Sequence, residues 1–141
     1  MDGPDDEHTV PDGVDDATVD ALGLLSEALE TVERARGHLY EMHQLIGHAE
    51  YRLGDAVLAL RDAGHDALAD EIEVRLVGRN ILAGRWTFQV LEEFDDGYYA
   101  EFRELERLAR EQLAGGRRHL YEARLKEQRR THGRPGHEAH P

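Results

Sequence analysis

From about Ala17 onward, Leu22, Leu25, Leu29, Val32, Leu39, Ile46, Leu53, Val57 and Leu60 recur at steps of three, four or seven. That spacing lays apolar side chains along one side of a helix and lacks the alternation of a strand. Asp15 or Asp16 can cap its start by accepting from the first unpaired amides. The pattern stops at Asp62-Ala63-Gly64-His65-Asp66, where Gly64 can adopt the left-handed conformation that closes a helix and Asp66 can cap the next one. A second helical stretch begins with Leu68, Ile72 and Leu76. It reappears as Val90, Phe94, Tyr98, Phe102, Leu105 and Leu108 and fades near Gly115-Gly116. Between its halves lies GRNILAGR, 78–85, whose two glycines permit either a loop or an imperfect continuous helix. RRHLYEARLKEQRR, 117–130, predicts a shorter last helix with a basic surface.

The fold class is therefore all-α: a long antiparallel helical hairpin followed by a short C-terminal helix. A hairpin has one apolar stripe per helix and cannot bury broad apolar faces alone. The chain must either fold its C-terminal helix back or dimerise into a four-helix bundle, and the length of the helices favours the dimer. Four segments follow: an acidic tail over 1–16, a helical hairpin or bundle domain over 17–116, a basic amphipathic segment over 117–130, and a second tail over 131–141. Both tails are rich in glycine and proline and poor in large apolar residues, so they are expected to be disordered.

One seam of the first helix reads Leu22, Leu29, Arg36, His43, Glu50, Val57, and the other reads Leu25, Val32, Leu39, Ile46, Leu53, Leu60. Three polar residues thus interrupt one seam of an otherwise apolar stripe. If the second stretch is one helix turning back between Gly64 and His65, paired residue numbers sum to about 129. Arg36 then faces Glu93, Glu50 faces Arg79, and His43 faces Trp86. Opposite charges meet in both charged layers, as register-fixing polar layers do in coiled coils. The same residues, with Gln89, have a second reading: Arg36, His43, Glu50, Arg79, Trp86, Gln89 and Glu93 would line a polar pocket for a small ligand or metal.

HLYEMHQLIGHAE, 38–50, holds three histidines and two glutamates. A step of 100° per residue turns His38 and His48 away from the seam of His43. His38 and Glu41, at i and i+3, can grip one metal from one helix, whereas Glu41 and His48 stand about 10.5 Å apart along the axis. Neither the Glu-x-x-His order of ferritin-like carboxylate proteins nor His-Glu-x-x-His is present. A divalent metal thus rests on composition, with His38 and Glu41 as its candidates, and no cofactor is predicted. HLYE recurs at 119–122 with unmatched flanks, too short an identity to indicate duplication. In EEFDDGYY, 92–99, the carboxylates Glu92, Asp95 and Asp96 read as a solvated acidic face, with Tyr98 continuing the apolar stripe and Tyr99 outward.

The 141 residues suffice for one domain. A formal charge of −13 argues against a duplex nucleic acid binder with a broad basic face. The positive region, Arg117 to Arg134, can touch a polyanion or fold back on the N-terminal aspartates, a contact that salt screens. Lys126 is the single lysine, and the acid excess suits a salt-adapted cytosol. Absence of cysteine excludes disulfides and thiolate metal sites. No segment resembles a signal peptide or membrane span, so a cytoplasmic location is expected. No phosphate loop, catalytic triad order or nucleotide fingerprint occurs, and the sequence leans away from an enzyme. The function that follows is a helical-bundle interaction or structural module, a homodimer able to contact other proteins. The alternative is a metal- or small-ligand-binding helical bundle, with an enzyme as one option, using a polar core around His43, Trp86 and Glu93.

Overall fold

The computed structural model describes residues 2–140. Among them the chain is all-helical, with one isolated bridge, Leu82 to Arg85, and no strand. Helix α1 spans Asp16–Asp62, α2 Asp66–Arg75, α3 Thr87–Phe94, α4 Ala100–Ala114 and α5 Leu120–Arg129. A 3-10 turn occupies Asp6–His8, and a π-helical turn, Asp95–Tyr99, joins α3 to α4. Two compact units divide the chain. Unit 1 comprises Met1–Glu33 and Tyr99–Pro141, and unit 2 comprises Arg34–Tyr98.

Several boundaries lie where local chemistry predicts. Asp15 Oδ1 accepts from the Thr18 amide at 2.8 Å and caps α1. Gly64, at φ 88°, ends that helix with its amide donated to the Arg61 carbonyl at 2.9 Å. Gly115, at φ 60°, closes α4 in the same left-handed conformation. The expected cap at Asp66 is corrected: His65 holds the cap position and Asp66 is already the first helical residue.

Unit 2 is an antiparallel helical pair. As numbers rise along α1, partners fall: Arg36 meets Asp95, His43 meets Thr87, Glu50 meets Gly78, and Arg61 meets Asp70 and Glu73. GRNILAGR breaks the second leg. Gly78 and Gly84 take φ of 71° and 70°, which helical geometry forbids, and the chain regains helix only at Thr87. Between Arg34 and Tyr98 only Val57, Ala69 and Leu91 are buried.

In unit 1 the core gathers Val19, Leu22, Ala114 and Leu120, with Val10, Val14, Ala109 and Tyr121 packed around it. The basic segment is thus folded back, as α5, onto the first turns of α1. Gly23 makes this approach feasible, since a Cβ there would stand 2.7 Å from the Tyr121 ring. The N-terminal and C-terminal segments expected as tails meet each other: Asp2 accepts from Arg130 and pairs with His132, and Arg117 donates to the Thr9 carbonyl. Of those segments Met1 and Pro141 lie outside the described residues.

Candidate functional site

The polar residues of the α1 seam fall in unit 2, and each finds a partner one or two positions from the one that a continuous helix would supply. Arg36 does not pair with Glu93. Its Nε donates to Asp95 Oδ1 at 2.8 Å and its Nη2 to Oδ2 at 3.1 Å, a two-point grip on one carboxylate. Tyr40, one turn along α1, donates its hydroxyl to the same Oδ2 at 2.5 Å, and its ring lies 4.8 Å beneath the guanidinium. Glu93 instead pairs with Arg85 from the preceding loop.

His43 does not meet Trp86. Its Nδ1 lies 2.7 Å from the hydroxyl of Thr87. The break in the second leg is the cause: Trp86 becomes the extended residue before α3, at φ −87° and ψ 164°, and its side chain is 60% exposed. Gln89 accepts from the Trp86 amide at 2.8 Å, which makes it a helix-capping residue here. Glu50 accepts from the Gly78 amide at 2.5 Å in place of the expected Arg79. Arg79, His38 and Glu41 are all exposed. The seven residues expected to line one pocket are distributed over separate layers along the pair. Among the described residues no three histidine, aspartate or glutamate side chains gather to hold a metal ion.

The Arg36, Tyr40 and Asp95 cluster has a definite electrostatic character. Hydrogen bonds from Arg36 first and Tyr40 second hold the Asp95 carboxyl below its usual range. The Tyr40 phenol is pushed upward, chiefly because it donates to that carboxylate. At neutral pH the carboxylate is charged with both oxygens engaged, and the phenol is protonated. This arrangement fixes two helices and leaves neither group poised to accept a proton from a substrate. Among the described residues, no buried side-chain nitrogen or oxygen lacks a hydrogen-bond partner.

Sequence reasoning missed Tyr40, Thr87 and Asp95 in unit 2, and Glu33, Tyr99, Glu106 and Arg110 in unit 1. Tyr99, expected outward, is buried and donates its hydroxyl to Glu33 at 2.5 Å, while Tyr98 is exposed. The π turn explains the exchange, because its wider ring inserts an extra residue and advances every following side chain around the axis. Asp95 leaves the solvated acidic face because Arg36 and Tyr40 cover its carboxylate. Glu106 is buried and accepts from Arg110 at 2.7 Å and from Ser26 at 3.2 Å. The i, i+4 spacing of Glu106 and Arg110 was a visible signal; the burial was not. No protein-family model matches the chain, and no curated protein or solved structure matches it.

Proposed function

We propose that this chain is a helical interaction module that works as a homodimer, with unit 2 presenting the surface that a second copy covers. One observation supports the reading above the others. Tyr51 and Leu58 on α1 are 80% and 62% exposed, and Leu68 and Val74 on α2 are 51% and 85% exposed, in a unit with three buried residues. Single exposed apolar residues are ordinary on a protein surface, but a pair of helices with this little interior has scant means of offsetting its ordering entropy. A second hairpin supplies the missing layer and completes a four-helix bundle, with apolar transfer contributing about 25 cal/mol per Å² covered.

The polar layers fit this reading as register pins. Arg36 with Asp95, His43 with Thr87 and Glu50 with the Gly78 amide each fix one level of the pair without any reaction. The test is the mass in solution. Light scattering on size-fractionated protein at about 10 μM, a concentration at which interfaces of this class are saturated, should return twice the 16.0 kDa of one chain. A 16.0 kDa species over the whole accessible concentration range would sink the proposal.

A further inference from the structure

The chain carries a second surface, in unit 1, whose chemistry points to a particular class of ligand. Arg130 is its centre. The side chain is 1% exposed and all five of its N–H donors have acceptors. Nε donates to Glu127 Oε2 at 2.7 Å, and Nη1 to Asp2 Oδ1 at 2.9 Å and the His137 carbonyl at 3.4 Å. Nη2 donates to the Asp2 carbonyl at 2.5 Å and to Glu127 Oε1 at 3.0 Å. Beside it His132 faces Asp2 Oδ2 at 2.7 Å and Glu127 Oε1 at 3.2 Å. His140 Nδ1 meets the Gly3 carbonyl at 2.7 Å. Farther along, Arg117 donates to the Thr9 carbonyl, and Arg124 bridges Asp16 and Asp20.

Two kinds of group are read together here. Aspartate carboxylates are met by arginine and histidine, and the main-chain carbonyls of Asp2, Gly3 and Thr9 are met by the same residue types. Nucleic acid supplies phosphates but no row of peptide carbonyls, so the ligand that this surface suits is an acidic peptide in open conformation. Positive charge also remains beyond the contacts already made: Arg129 and Arg134 are exposed, as is Lys126 beside the Glu138 carboxyl. Between the Asp6–His8 turn and the Gly115–His119 turn a cleft of about 550 Å³ stays open, with Arg117 and Arg118 on its wall. The resident segment therefore does not fill the surface on which it lies.

We infer that residues 117–140 form a binding surface for an acidic peptide segment of a partner protein, and that residues 2–9 of the same chain, which lie outside the Val10, Val14 and Val19 core, occupy it at rest as an internal competitor. The inference does not depend on the dimer reading, since every contact lies within unit 1 of one chain. A tethered segment competes at an effective concentration in the millimolar range, so an outside peptide gains access only when it binds more tightly or when the resident contacts are weakened.

The test uses the full chain and a fluorescent peptide bearing the sequence of residues 1–9. The variant Asp2→Asn/Asp5→Asn/Asp6→Asn weakens the resident segment and leaves the contacts of α5 with α1 unaltered. It should bind the peptide about tenfold or more tighter than the unaltered chain, with affinity falling as salt rises. Adding Arg130→Gln to the triple variant should remove that gain. Equal affinity of the triple variant and the unaltered chain would overturn the inference, as would tighter binding of a duplex oligonucleotide than of the peptide. A second measurement needs no variant: excess peptide should accelerate amide hydrogen exchange over residues 2–10 of the unaltered chain. Unchanged exchange at saturating peptide would also overturn it.

Discussion

Asp95 shows how much a single carboxylate can organise. It lies on the first π-helical residue after α3, and receives two bonds from Arg36 and one from Tyr40, all in a partly buried setting. A partly buried two-point arginine grip is stronger than an ordinary surface pair, and we expect a double-mutant cycle on Arg36→Ala and Asp95→Ala to show coupling of roughly 1 kcal/mol or more. The corresponding cycle on Arg36→Ala and Glu93→Ala should be additive, because Glu93 pairs with Arg85. Coupling in the second cycle and none in the first would restore the uninterrupted helix. The pH dependence has a fixed sign. Arg36 and Tyr40 lower the Asp95 pKa from its ordinary value of 3.8, so below that value the unfolded chain binds a proton that the folded chain resists. The contribution is fully present above about pH 4 and is lost as pH falls through the lower folded value. Asp95→Asn should accordingly flatten the acid limb of stability, measured as urea midpoints from neutral pH downward. A limb of unchanged slope would assign it to other carboxylates.

At the scale of elements, what was legible in the sequence depended on whether a boundary is set locally. Gly64 and Gly115 end helices through their own left-handed backbone, and Asp15 caps α1 from three residues away, so the residues themselves announced those positions. Residues 78–85 were ambiguous because Ile81, Leu82 and Ala83 suit a helix while Gly78 and Gly84 suit a loop, and nothing local decides between them. The π turn was invisible. Its extra residue is stabilised by distant partners, Arg36 for Asp95 and Glu33 for Tyr99, which a 3.6-residue pattern cannot contain. This is why the helical class and antiparallel pairing were readable while Tyr98 and Tyr99 were interchanged. Glycines inside α1 separate local from tertiary effects by experiment. A Cβ added at Gly37 would have nothing within 4 Å, so Gly37→Ala should stabilise by about 0.5 to 1 kcal/mol through helix propensity. Gly23→Ala has the same propensity gain, but its methyl would meet the Tyr121 ring at 2.7 Å and should cost a net 1 kcal/mol or more as α5 is displaced. Thermal unfolding of the two variants checks this, and stabilisation by both would mean that α5 does not pack on Gly23.

At the scale of the molecule, dimerisation and the terminal contacts should respond to salt in opposite directions. Each chain carries −13, so two copies bring −26 together, and screening relieves that repulsion while leaving apolar burial intact or strengthened. The contacts of Arg117, Arg124 and Arg130 with the N-terminal segment are attractive, and the exposed ones weaken as the Debye length shrinks. If the homodimer is the working state, the unfolding temperature should rise with protein concentration, by roughly 2 to 4 °C per tenfold for a domain of this size. That dependence should strengthen as salt is raised. Val74→Glu, at an 85% exposed position, has little to disturb in an isolated chain, yet it places a charge in the surface assigned to the second copy. It should abolish the concentration dependence and lower the unfolding temperature at high concentration only. An unfolding temperature independent of concentration in the unaltered chain, or a Val74→Glu variant that keeps the unaltered chain's concentration dependence, would remove the assignment of Tyr51, Leu58 and Val74 to a second copy. Loss of amide protection over residues 2–10 at the same high salt would then follow from the terminal contacts alone, so the two surfaces can be told apart in one titration.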